Sequence, residues 1–188
     1  MEAVTQLLNT PPTAGFDEPF GMLQACHGRV ARSLDLLGRL GAYLAEQGGD
    51  DAQGQARDAA ADVQRYFDLA APLHHQDEEL HVLPALRAAG QRALADQLQA
   101  EHRQMEALWP AVRADLQAVQ AGHAPAGTAL VAARRRWADF AAVYTRHIAA
   151  EETQAYPSAQ TTLEPPVQAA MGREMAQRRG VRYPEVGP

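Results

Sequence analysis

His74-His75-Gln76-Asp77-Glu78-Glu79-Leu80-His81-Val82-Leu83-Pro84 and His147-Ile148-Ala149-Ala150-Glu151-Glu152-Thr153-Gln154-Ala155-Tyr156-Pro157 are two versions of one phrase, with His, Glu-Glu and Pro in the same register. In each, a histidine is followed four residues later by a glutamate. On an α-helix that spacing puts both side chains on one face about one turn apart, so imidazole and carboxylate converge on one point. The repetition extends upstream. Leu23-Gln24-Ala25-Cys26-His27 precedes the first phrase and Leu98-Gln99-Ala100-Glu101-His102 the second; His27 to His74 is a step of 47 and His102 to His147 a step of 45. The chain reads as two similar helix pairs, each offering one lone histidine and one His-x-x-x-Glu.

Outward from these phrases, a period of 3.6 marks four long segments between breaker-rich stretches. They run from about Phe20 to Gln47, Gln55 to Leu83, Arg92 to Ala121 and Thr128 to Tyr156. Gly48-Gly49-Asp50-Asp51, then Pro84 with Gly90, then Gly122, Pro125 and Gly127, and finally Pro157 supply the stops. Pro72 and Pro110 fall inside helical patterns and are expected to kink or interrupt them. After Pro165-Pro166 a shorter helix, about Val167 to Arg179, packs outside, on its own bundle or a neighbour's. Long helices with short loops predict an all-α fold, an antiparallel up-down-up-down four-helix bundle with an extra C-terminal helix. The expected parts are an N-terminal arm (1–19), the bundle (20–160) and a C-terminal helix and tail packing on it (161–188).

The stripes facing the core can be written out. Phe20, Leu23, His27, Val30, Leu34, Leu37, Gly41 and Leu44 form the first; Val63, Phe67, Ala70, His74, Glu78 and then His81 or Val82 the second. Leu94, Leu98, His102, Met105, Trp109, Val112, Leu116 and Val119 form the third, and Leu130, Ala133, Trp137, Phe140, Tyr144, His147 and Glu151 the fourth. Each is apolar except at one level, where it carries His or Glu.

Bulk properties narrow the class. The 188 residues suit one well-filled domain. With 46% apolar and 6% aromatic residues and few Ile or Thr, helix is favoured over sheet. A formal charge of −6, with Arg134-Arg135-Arg136 as the longest basic run, argues against nucleic acid as a partner. Cys26 stands alone, which excludes an intramolecular disulfide. The N-terminal MEAVTQLLNTPPT has neither a basic nor an apolar region of a signal peptide, and 18 consecutive apolar residues occur nowhere. A reduced, cytoplasmic protein without membrane contact is the expectation.

A carboxylate on a core stripe costs on the order of several kcal/mol unless it is protonated, paired or bound to a cation. Glu78 and Glu151 therefore call for a positive charge. Neutral imidazoles with carboxylates suit iron, zinc or manganese, and the lack of cysteine ligands excludes a zinc finger or an iron–sulfur cluster. Two matching helix pairs meeting about a pseudo-two-fold axis suit two metal ions bridged by two carboxylates. His27, His74, Glu78, His102, His147 and Glu151 are the minimum ligand set.

The pattern resembles that of the hemerythrin-like, or HHE cation-binding, family: a lone His, then His-His-x-x-Glu-Glu-x-x-x-x-Pro, then Glu-His, then His-x-x-x-Glu-Glu-x-x-x-x-Pro. It covers roughly Leu23 to Pro157, and the tail from Met171 to Gly180 looks like that of bacterial members. The resemblance implies two irons joined by an oxo or hydroxo bridge, with those six residues as ligands and a position open for O2 or a related small molecule; zinc or manganese can substitute. Oxygen carriers of the family have a further histidine where this chain has Glu106, and end on an aspartate five residues after its His, where Glu151 stands at four. Those departures bear on O2 carriage rather than on metal binding.

The other polar residues are read more plainly. His75 is open between ligand, supporting group and exposed residue. His81 and His123 are not ligands. Glu79, Glu152, Glu101 and Glu106 are expected to accept imidazole N–H groups or face water, with Glu106 able to stand in for the missing histidine. Cys26 reads as a buried inert thiol, and Tyr144 as a core residue one turn before His147. The functional expectation is a di-iron protein that binds, senses or scavenges O2, peroxide or nitric oxide, or holds iron, and is not primarily an enzyme. Its alternatives are a di-iron oxidase or peroxidase, and a metal-responsive bundle acting on a protein partner. A monomer and a homodimer fit equally.

Overall fold

The computed structural model describes residues 15–47 and 54–183. Most of the N-terminal arm, the Gly48-Gly49-Asp50-Asp51 turn and the last five residues lie outside them. Among the described residues every regular element is helical. Helix α1 is Pro19–Gln47. Helix α2 spans 55–88, α3 is Arg92–Gln120, α4 spans 127–162 and α5 is Pro165–Arg178. Among the long helices, α1 packs on α2 and α4, α3 packs on the same two, and the C-terminal ends of α2 and α4 meet each other. None is long and apolar enough to cross a membrane.

Local chemistry explains the ends. After α2 and α3 the chain turns through Gly90 and Gly122, both at φ 79°, a left-handed conformation open to glycine at little cost. Beyond each, an amide returns to a carbonyl five residues back: Gln91 N to Leu86 O at 2.8 Å, and His123 N to Ala118 O at 2.8 Å. These are Schellman closures, which satisfy carbonyls the helix leaves open.

Two expected stops are not stops. Helix α2 continues past Pro84 to Ala88, and α4 past Pro157 to Thr162. In both, a π turn precedes the proline: Glu78–Val82 before Pro84, and Glu151–Ala155 before Pro157. A third, Tyr66–Ala70, precedes Pro72. The amides of Ala71, Leu83 and Tyr156 bond the carbonyls of Tyr66, Glu78 and Glu151, five residues back. A proline ring collides with the carbonyl four residues before it, and a widened turn relieves that contact without ending the helix. The extra residue also shifts the register, so Ala71 rather than Ala70 is buried, and Val82 rather than His81. Pro110 interrupts nothing; α3 is continuous around it.

The apolar core is divided in two. One cluster joins Val30, Leu37, Leu44, Val63, Phe67, Met105, Val112, Leu116, Trp137 and Phe140. The other joins Phe20, Leu23, Val82, Leu86, Leu98 and Tyr156, and is completed by Met171 and Met175 of α5. Burying each such side chain contributes about 1.5–3 kcal/mol. The indoles are anchored at helix contacts: Trp109 Nε1 donates to Asp68 at 2.9 Å and Trp137 Nε1 to Asp115 at 3.0 Å. Between the clusters lies a level at which every long helix presents polar residues, all buried.

Candidate metal centre

At that level α1 supplies His27, α2 His74 and Glu78, α3 His102, and α4 His147 and Glu151. Each is at most 3% exposed. Their donor atoms fall into two groups, His27–His74–Glu78–Glu151 and Glu78–His102–His147–Glu151, within each of which all atoms lie inside 4.8 Å of one another. Both glutamates belong to both groups, and each turns one oxygen to each. Glu78 Oε1 stands 3.2 Å from His74 Nε2, and its Oε2 3.4 Å from His102 Nε2. Glu151 Oε2 stands 3.1 Å from His27 Nε2, and its Oε1 3.1 Å from His147 Nε2. All six residues singled out by the sequence are brought together.

Around them, further glutamates fix the rings. Glu152 accepts from His27 Nδ1 at 3.0 Å, Glu79 from His102 Nδ1 at 3.1 Å, and Glu101 from His147 Nδ1 at 2.9 Å. A carboxylate only accepts, so each Nδ1 carries the proton and each Nε2 points inward. This is the way metal-binding histidines are commonly oriented, their outer nitrogen held by a carboxylate. Glu106 takes no such part. It is exposed and lines a small cavity of about 70 Å³ with His75, Met105, Trp109, Phe140 and Tyr144. His75 is buried and belongs to neither donor group; it stacks on His102 at 4.2 Å between ring centres and faces Tyr144 at 5.8 Å. His81 pairs with Glu174 of α5 at 3.0 Å, and His123 is exposed.

Two participants had not been recognised in the sequence. Tyr156 donates its hydroxyl to Glu78 Oε1, places it 3.0 Å from His27 Nε2, and stacks on that ring at 5.3 Å. The signal was present but needs the π turn. Five residues after Glu151 is the wrong face of a regular α-helix and one turn away in a widened one. The second is Asp77, fully buried beside Glu78 and gripped by Arg178 at 2.8 Å and Arg179 at 2.6 Å, which fastens α5 to α2.

The electrostatics show what the site lacks from the chain itself. Among the described residues the only ion-pair partners of Glu78 and Glu151 are imidazoles. Burial alone would raise the Glu78 carboxyl, but His74, His102 and His27 hold it well below the usual range. Burial opposes protonation of His27 and His102, yet the carboxylates of Glu151 and Glu78 beside the one, and of Glu78 beside the other, push them up to about 10 and about 9. His147 rises for the same kind of reason, through Glu151. His74, buried without a partner on Nδ1, falls to about 3. Burial pushes the Cys26 thiol up, as suits an inert sulfur.

Two carboxylates in a dry interior require cations. Glu78 Oε2 and both oxygens of Glu151 have no hydrogen bond despite the nitrogens near them. Inward lone pairs, carboxylate oxygens without hydrogen bonds and imidazole donors fixed from behind fit metal ions of the kind that nitrogen and oxygen ligands select.

Comparison with known proteins agrees with the geometry. Residues 19–159 match the family model of the hemerythrin HHE cation binding domain. An uncharacterized protein of Haemophilus influenzae (strain ATCC 51907 / DSM 11121 / KW20 / Rd) is 31% identical over 185 residues, which span 94% of this chain and 99% of the relative. With its paired His-x-x-x-Glu phrases folded into one buried donor cluster, the chain belongs to the hemerythrin HHE cation-binding family.

Proposed function

We propose that the chain holds two iron ions, with His27, His74, Glu78, His102, His147 and Glu151 as ligands and Glu78 and Glu151 bridging. One observation carries the reading: each of the two glutamates turns one oxygen to each donor group. A single ion would leave half of those donors idle. Zinc or manganese would occupy the same donors when iron is scarce. The up-down-up-down order of the four long helices belongs to this reading. It is supported by the short links at 89–91 and 121–126 and by the packing of both α1 and α3 on α2 and α4. So do a bundle unit at 20–160, an outer unit at 161–188 and a cytoplasmic location.

The function that suits this site is binding, sensing or scavenging of O2, peroxide or nitric oxide. Iron supplies the electrons and the binding position for such molecules when bound. The chain's own part is to fix the imidazoles through Glu79, Glu101 and Glu152, to keep water out with two apolar clusters, and to hold a proton on Tyr156 beside Glu78. The cavity beside His75 and Tyr144 is about 70 Å³. That is ample for a diatomic molecule, since a single water needs only about 10–15 Å³ of such space.

The test is metal content per chain, with the visible spectrum, on protein expressed with iron and purified without chelator. Near two irons per chain, lost in Glu78→Ala and His147→Ala, is expected. Full iron in both variants, or one ion per chain in the parent protein, would overturn the reading.

A further inference from the structure

The first π turn of α2 holds no candidate ligand. The other two open with Glu78 and Glu151, whereas Tyr66–Ala70 lies away from the donor cluster. Widened turns in helices gather at functional positions, and this one forms a wall of a groove between α1 and α2. The groove has a volume of about 450 Å³, with Arg29, Arg32, Ser33, Arg65, Tyr66 and Leu69 around it. Arg65 is neutralised by Asp62 at 2.5 Å, and Asp62 also faces the groove. Arg29 and Arg32 have no ion pair or hydrogen bond among the described residues, on a chain whose net charge is −6. Leu69 is 64% exposed at the rim. Tyr66 is half-buried and fixed in place, its hydroxyl donating to the Cys26 carbonyl at 3.3 Å.

We propose that this groove binds a small organic phosphate of mononucleotide size, separate from the metal centre. A phosphate monoester carries about −2 charge near pH 7, which matches the two unneutralised guanidiniums. Guanidiniums bind such oxygens through paired N–H donors, which a lysine cannot match. Ser33 adds a hydroxyl. Tyr66 and Leu69 offer a flat and apolar surface for the organic part, and the volume exceeds what inorganic phosphate needs. This site does not depend on iron, and none of its residues is a proposed ligand.

The experiment is calorimetric titration of the purified protein, as isolated, with adenosine monophosphate, and in parallel with adenosine and with inorganic phosphate. Arg29→Gln/Arg32→Gln removes the anion donors. Arg135→Gln, an exposed arginine on α4, controls for general charge. Saturable binding of one adenosine monophosphate per chain is expected, at least about tenfold weaker in the double variant and unchanged in the control. Adenosine and inorganic phosphate should each bind more weakly than the nucleotide. Metal content and helical signal that match the parent show that the double variant is folded. Equal binding by the double variant, equal loss in Arg135→Gln, adenosine binding as well as the nucleotide, or no saturable binding at millimolar probe would each overturn the proposal.

Discussion

The Nε2 atoms of His102 and His147 stand 3.1 Å apart, although each ring has already given its other nitrogen to a glutamate. Without metal a proton must lie between them, in keeping with the raised pKa values of both rings. A metal cation at the neighbouring carboxylates would take that proton's place, and among the described residues no lysine or arginine pairs with Glu78 or Glu151.

Metal removal is therefore expected to soften the whole fold. Two ions, each present at about 100 times its Kd, stabilise the native state by about 5 kcal/mol, and each kcal/mol moves Tm by about 2–4 °C in a domain of this size. Chelated protein should melt about 10–20 °C below the loaded form in scanning calorimetry. Identical melting temperatures with demonstrably different metal content would contradict it.

Without metal, protons must supply the charge, and that makes stability depend on pH. His27 and His102 have folded values near 10 and 9, against about 6.5 unfolded. Raised groups stabilise fully below the unfolded value and lose that contribution as pH climbs through the folded one. His74, lowered to about 3 by burial, acts oppositely. Below about pH 6.5 the unfolded chain takes up a proton that the folded chain refuses. The metal-free protein should thus be most stable near about pH 6.5 and weaken on both sides. Metal needs neutral imidazoles, so the gap in Tm between loaded and chelated protein should widen from pH 6.5 to 9. A constant or narrowing gap would refute the charge argument.

Tyr156→Phe removes one hydroxyl and leaves the ring stacked on His27. Glu78 loses its one hydroxyl donor in a fully buried setting, a loss of about 1–3 kcal/mol in the metal-free protein. Groups that hold ligands in place typically change metal affinity about 10-fold to 100-fold. Chelator competition should place the variant at the lower end of that range, because His27 keeps its bond to Glu152. Unchanged affinity would show that Tyr156 only fills space.

Gly172→Ala tests the fastening of α5. A Cβ built there lies 1.9 Å from the Phe16 carbonyl oxygen, backbone that cannot swing aside. Overpacking of this kind costs about 1–3 kcal/mol, and Met171 and Met175 should become more accessible to oxidation. Gly38→Ala is the contrast: nothing lies within 4 Å of its Cβ, and alanine in mid-helix should stabilise by about 0.5–1 kcal/mol. Urea unfolding that ranks the two variants the other way round would refute the packing account.

The duplicated phrase made the helices and the donor residues legible, because spacing on one helix is local and the core stripes repeat it. Prolines were misread for a local reason too. Pro84 and Pro157 signal a stop only if the preceding turn is regular, and a π turn leaves no mark that a 3.6 period can detect. The same widening hid Tyr156. Asp77 was invisible on different grounds: its arginines lie 101 and 102 residues away, and no periodicity links them. His75 shows the remaining limit, since the angle around a helix cannot say whether a ring meets the centre or stacks beside it.

A four-helix bundle usually holds tightest at its waist and frays at its ends. Here the waist is the polar level, and the apolar clusters lie on either side of it. The molecule behaves as two grips on a shared handle, each closed by its own contacts. In amide exchange, the residues flanking His74 and His147 should open before either end does when the ions are gone, and be among the last to open when they are present. The ions thus act as a weld at the place where burial of hydrocarbon is interrupted.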